Sequence, residues 1–184
     1  SGINTALRQA IISLLALGQP VSLSQVATTV GWSHEDVVQT IKKMNIEFDE
    51  GGNIVGAGLT LRPTPHRIKV GGHLLYTWCA LDAFMYMPLL GRPVQVESPC
   101  AKTGDLIRMT VTPQRVKSYE PAEAVVSLIY PKKGFPIRQA FCNHVNFFRS
   151  PEAAASWLAQ QKEATILSID DAYAFGQQLL SKCS

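Results

Sequence analysis

The stretch Arg62-Pro63-Thr64-Pro65 most limits how this chain can fold. Each proline lacks a backbone donor and fixes its own φ, and each pushes the residue before it out of the helical region. Neither a helix nor a central strand can run through such a segment. It therefore marks the expected boundary between a first part, residues 1–63, and a second part, residues 64–184.

The first part carries helix punctuation. Leu7, Ile11, Leu14 and Leu15 share one helical face over residues 5–17, and Gly18 is a natural stop. Ser22 and Gln25 have the spacing of a capping box, and Ser33 with Asp36 repeats the signal, so two short helices are predicted after Pro20. Ile46 and Phe48 then alternate with polar residues, Asp49-Glu50-Gly51-Gly52-Asn53 supplies turn chemistry, and Ile54 and Val55 begin a return strand. Three helices and a hairpin make a winged helix-turn-helix pattern. Its third helix offers only Lys42 and Lys43, opposed by Glu35 and Asp36, so a structural role is expected rather than DNA binding.

The second part reads as strands with flanking helices. A short strand through Ile68 and Val70 ends at Gly71-Gly72, and residues 74–87 have the apolar density of a buried helix. Strands are predicted at 94–97, 106–112, 124–130 and 139–148, a helix opening at Ser150-Pro151, and a last helix over about 171–180. The fold class expected is α+β, with a winged-helix-like N-terminal module packed on a mainly antiparallel β part.

Composition narrows the functional classes. The chain has 184 residues, 46% of them hydrophobic and 17% charged, which describes a globular protein with a real core. The longest apolar-rich stretch is interrupted by Thr77, Asp82 and Pro88, so no membrane span is expected. Ser1 and Gly2 read as residues left by expression, and nothing after them resembles a signal peptide, which makes the cytoplasm the expected location. A net charge of +3 with scattered basic residues, Lys132-Lys133 being the densest run, gives no stripe for nucleic acid. Four cysteines in such a chain are expected to be reduced thiols.

Those thiols and their neighbours carry the chemistry. If a helix begins near Tyr76, Cys79 sits in its first turn, where unpaired N–H groups would lower the thiol pKa, and Asp82 projects beside it. The carboxylate opposes that shift, yet it could also hold the proton a thiol gives up. From this segment alone, a buried cysteine next to a solvated aspartate is an equally open reading. On a strand over 139–148, Cys142, His144 and Asn146 would share one face, with His144 expected to be a structural, hydrogen-bonded histidine. Cys100, in Cys100-Ala101-Lys102-Thr103-Gly104, makes only half of a metal knuckle, and Cys183 is expected to be a bystander on a C-terminal tail.

The segments Leu75-Tyr76-Thr77-Trp78-Cys79-Ala80-Leu81-Asp82 and Phe141-Cys142-Asn143-His144-Val145-Asn146-Phe147-Phe148 resemble the two active-site segments of the bacterial organomercurial lyases, also called alkylmercury lyases. Gly18-Gln19-Pro20-Val21, Gly52-Asn53-Ile54-Val55-Gly56, Gly58-Leu59-Thr60-Leu61 and Cys100-Ala101-Lys102-Thr103-Gly104 resemble that family in the same order. The resemblance implies an enzyme that splits the carbon–mercury bond by protonolysis. It implies Cys79 and Cys142 as mercury-binding thiolates and Asp82 as proton relay and mercury ligand, with Cys100 structural. Soft thiolates suit a soft metal, so this assignment is chemically consistent.

Tyr76, Trp78 and Phe141 flank these groups and are expected to wall an apolar pocket for the organic moiety. The resemblance further implies an organomercurial substrate, small cellular thiols for turnover, mercuric reductase as mercury acceptor, and no resident cofactor. Some family members have a second cysteine where this chain has Asn143, so that position is not needed for the mechanism. Two rival readings use the same residues: a thiol hydrolase with His144 as base, and a metal-responsive winged-helix regulator.

Overall fold

A computed structural model describes residues 2–131 and 133–182. Ser1, Lys132 and Cys183, all singled out above, lie outside the described residues. Helix α1 (Gly2–Leu15) buries Leu7, Ile11 and Leu15 completely, the stripe that its apolar spacing predicts. Helix α2 (Leu23–Val30) starts on a full capping box. The Gln25 N–H donates to Ser22 Oγ at 3.1 Å, and the Ser22 N–H donates to the Gln25 side chain at 2.8 Å. Helix α3 (His34–Ile41) is capped by Ser33, buries Val37 and Ile41, and carries Glu35 and Asp36 in its first turn. Strands β1 (Glu47–Phe48) and β2 (Ile54–Ala57) form the wing, closed by the Asn53 N–H donating to Asp49 Oδ1 at 2.9 Å.

The wing does not stop at the prolines. Strands β3 (Leu59–Thr60), β4 (His66–Val70), β5 (His73–Thr77), β6 (Val94–Pro99), β7 (Leu106–Val111) and β8 (Val116–Glu120) extend it into one sheet of order β1-β2-β3-β5-β4-β6-β7-β8. Every pairing is antiparallel. A second antiparallel sheet has the order β10-β9-β11, from β9 (Val125–Ile129), β10 (Phe147–Phe148) and β11 (Ala164–Ser168). The mixed α+β class and the helical N-terminal region therefore match expectation.

Helix α4 (Asp82–Met85) connects the layers. Phe84, fully buried, meets Phe147 edge-on at 6.0 Å and Tyr173 of helix α7 (Ile169–Lys182) at 6.3 Å. Burying such a ring contributes roughly 1.5–3 kcal/mol, and the edge-on geometry is the one aromatic quadrupoles prefer. Helix α6 (Pro151–Ala159) begins as its sequence predicts, with the Ser150 hydroxyl accepting from the Ala153 N–H and proline in the first turn.

Two expected elements are replaced. Residues 74–87 do not form one helix: Gly71 and Gly72, both with positive φ, turn β4 back into β5, and the helix begins only at Asp82. Alternation was present, with Leu74 49% exposed and Leu75 1%, but the apolar density of the segment concealed it. Residues 139–148 do not form one strand either. Helix α5 (Ile137–Ala140) leads into a 3₁₀ turn at Cys142–His144, and only Phe147–Phe148 pairs with β9. Strands β8 and β11 had no counterpart in the sequence reading.

Candidate active site

The turn Trp78 to Leu81, between β5 and α4, carries the first thiol. The Trp78 N–H donates to the Gly58 carbonyl at 3.0 Å, and the Thr77 hydroxyl donates to the Cys79 carbonyl at 2.9 Å. Cys79 thus precedes a short helix instead of occupying the first turn of a long one. The Asp82 carboxylate, at the start of α4, reaches back to accept from the Cys79 N–H at 3.1 Å. The bond closes the turn from Cys79 to Asp82 from the first residue of the helix, whose own cap, Leu81, makes no side-chain hydrogen bond.

The second thiol comes from the turn after α5. The Val145 N–H donates to the Cys142 carbonyl at 3.2 Å, while Ser127 on β9 donates to the His144 carbonyl at 2.8 Å. Across the gap, the Ala80 N–H donates to the Val145 carbonyl at 3.1 Å, which ties the two thiol-bearing turns together. Cys142 is 4% exposed and sits in a 3₁₀ turn, not on the strand that alternation predicts. His144 and Asn146 do not share a strand face with it.

The result is a compact donor set. Cys79 Sγ, Cys142 Sγ and an Asp82 oxygen lie within 4.8 Å of one another, all three residues buried and both cysteines free. His144 is not part of this group. Its carbonyl, not its ring, is what the fold uses there.

Burial governs the electrostatics. Loss of water pushes the Cys79 thiol well above its usual pKa, and the hydrogen bond to Cys142 and the Asp82 charge push in the same direction. The lowered pKa expected from helix N–H groups is therefore wrong in sign, because desolvation dominates a fully enclosed sulfur. Burial also raises Asp82 to about 6, offset in part by hydrogen bonds from Cys79 and by the charges of Arg8 and Arg138. A carboxyl poised there holds or releases a proton near neutrality.

One wall of the donor set opens into a cavity of about 640 Å³, lined by Trp78, Asp82, Met85, Phe141, Cys142 and Phe175 among others. Such a volume suits a small organic ligand. Of the three residues expected to wall a pocket, Trp78 and Phe141 line this cavity and Tyr76 does not. Strand alternation turns it away from the buried side chains of Leu75 and Thr77, on a strand where it pairs with Thr60 and Arg67.

The sequence reading missed Arg8 and Tyr86. Arg8 donates to the Ala57 carbonyl at 3.0 Å, lies 5.0 Å over the Tyr86 ring, and borders the cavity with it. A charged residue next to the buried stripe of α1 was the only available signal. Cys100 is also buried, but it belongs elsewhere: its sulfur accepts from the Arg149 N–H at 3.3 Å, and its loop is closed by the Gly104 N–H on its carbonyl.

A family model described as alkylmercury lyase matches residues 59–181, and one described as the helix-turn-helix domain of alkylmercury lyase matches residues 1–58. The alkylmercury lyase of Staphylococcus epidermidis is 46% identical over 170 residues, covering 92% of this chain and 79% of that protein. The alkylmercury lyase of Pseudomonas putida is 42% identical over 179 residues, covering 97% and 82%. Among solved structures, the mercury-bound form of MerB2 superposes with a TM-score of 0.76 at 27% identity, over 92% of this chain and 86% of that one. The chain belongs to the alkylmercury lyase family.

Proposed function

We propose that this alkylmercury lyase breaks the carbon–mercury bond with Cys79 and Cys142 as mercury ligands and Asp82 as proton relay and further ligand. The observation that carries the assignment is the buried two-sulfur, one-carboxylate set at the end of an apolar cavity. The substrate is an organomercurial in which mercury bears one carbon and one exchangeable ligand.

Cys79 attacks mercury first, and its proton passes to Asp82. Cys142 then adds as the exchangeable ligand departs, and the Cys142 proton leaves with that ligand. Two thiolates on mercury raise electron density at the bound carbon, which becomes basic enough to take a proton. Asp82 supplies it. The carbon–mercury bond breaks, the hydrocarbon leaves, and mercury(II) stays on both sulfurs. One thiol proton thus ends on the departing ligand and the other on carbon.

Apolar walls at Trp78 and Phe141 hold the organic group and keep water from the reacting centre. The chemistry requires no resident cofactor. Small thiols withdraw the mercury(II), with mercuric reductase as its acceptor and the cytoplasm as the setting. No helix among the described residues is long and apolar enough to cross a membrane. Residues 1–63 act as a structural winged-helix module and residues 64–184 as the catalytic part. Incubation with phenylmercury and excess small thiol tests the reading: benzene is released, and failure with every organomercurial offered would refute it.

A further inference from the structure

Glu47, on the wing strand β1, is the meeting point of three segments. Its Oε1 accepts from the Thr60 hydroxyl at 2.7 Å and from the Trp78 indole N–H at 3.3 Å. Its Oε2 lies 3.1 Å from Arg62 and 3.5 Å from Arg138. Arg138 in turn stands 5.7 Å over the Trp78 ring. The side chain is only 13% exposed, and the fold leaves room for it: a side-chain carbon at Gly56, its cross-strand partner, would collide with the carboxylate.

Exposed ion pairs contribute little, because water and salt screen them. This one differs in burial and in what it touches. Trp78 immediately precedes Cys79, and Arg138 sits in α5, four residues before Cys142. The other ion pairs among the described residues, Glu97 with Arg67 and Arg108 and Asp105 with Arg149, adjoin neither site thiol in the chain. A charged acceptor shared by an indole and a guanidinium that stack on each other fixes both side chains at once.

We propose that Glu47 is a positioning residue: from the helix-turn-helix module it clamps Trp78 and Arg138, and so sets the cavity wall and the spacing of the two thiol-bearing turns. This rests on the lyase reading above. It also gives the module a task other than nucleic-acid binding, since the carboxylate that holds Trp78 of the cavity wall comes from its wing.

The decisive variant is Glu47→Gln, which keeps an acceptor for Thr60 and Trp78 but loses the charge that holds Arg138. With phenylmercury and excess small thiol, its KM rises about tenfold, the scale set by losing one charge-assisted contact, while kcat changes less than twofold. In an Arg138→Met background the same substitution adds nothing further. A parallel reading uses protein whose only tryptophan is Trp78, through Trp32→Phe and Trp157→Phe, where Glu47→Gln shifts the Trp78 emission. With an active wild type, an unchanged KM, an additive double variant or an unmoved emission overturns the clamp. If the wild type turns over no organomercurial, the lyase reading falls, and the Trp78 emission alone decides the clamp: a shift supports it and no shift overturns it.

Discussion

The Asp82 carboxylate accepts from the backbone N–H of Cys79 at 3.1 Å, so the proposed proton relay is held beside the thiol before any substrate arrives. Asp82→Asn preserves this hydrogen bond through the amide oxygen and removes the proton relay. Turnover is expected to fall by about 10²–10⁴-fold, the usual worth of a positioned acid–base group. Mercury(II) should remain on the two thiols. Benzene release and equilibrium dialysis against mercury(II) measure the two effects, and undiminished turnover in Asp82→Asn would exclude the relay.

Activity should depend on pH through the same group. Collection of the Cys79 proton needs Asp82 ionised, so kcat/KM of the wild type is expected to drop as pH falls through about 6. A flat profile across that range would assign the relay to another group.

Stability carries the opposite sign. The folded pKa of Asp82 lies above its ordinary 3.8, so between pH 4 and 6 the native state binds the proton more readily than the unfolded chain. Its contribution is present at low pH and is lost as pH rises through about 6, a cost on the order of 3 kcal/mol at neutrality. Asp82→Asn is therefore expected to gain stability relative to wild type from pH 4 to pH 7. Denaturant midpoints of both proteins at the two pH values decide it, and an advantage of the variant that is larger at pH 4 than at pH 7 would contradict the assignment.

The three buried thiols should separate by role. Cys79→Ser and Cys142→Ser each replace a soft ligand with a hard one and are expected to reduce turnover at least about 100-fold. Cys100→Ser should lower the melting temperature, since its buried sulfur accepts from the Arg149 N–H, yet leave turnover within about twofold at 25 °C. Full turnover by either of the first two variants would rule out the two-sulfur mechanism.

Gly58 tests how the cavity is braced. It has φ +99°, and a side-chain carbon there would run into the Tyr86 ring, over which Arg8 lies. Gly58→Ala is expected to cost on the order of 1–3 kcal/mol from backbone strain alone, and to weaken the Trp78 N–H bond to its carbonyl. Unfolding at the wild-type midpoint would refute this account.

Much of this was readable in the residues. The capping pairs Ser22/Gln25 and Ser33/Asp36 encode local geometry, and their helices begin where the spacing says. Trp78, Cys79, Asp82, Phe141 and Cys142 do meet at one cavity or its edge. Helical spacing puts Cys79 beside Asp82 in the sequence, whereas in the fold the contact closes the turn before α4, which spans the same three residues. Cys142 was assigned to a strand because its apolar and polar neighbours alternate. Proline at 136 and the tie from Ala80 to Val145 instead fold that segment into tight turns. Arg8, Tyr86 and Glu47 escaped because they reach the site through tertiary contacts from distant parts of the chain, which no local period encodes.

That tie from Ala80 to Val145 also bears on competition. Because the backbone already joins the two turns, the proposed mechanism has the second sulfur close on mercury as an intramolecular step, at an effective concentration that dissolved thiols in the millimolar range do not match. On that mechanism, capture is expected to outrun a surrounding thiol pool while the organic group is attached. Release is then expected to proceed stepwise, one incoming thiol displacing one sulfur before the pincer can reclose.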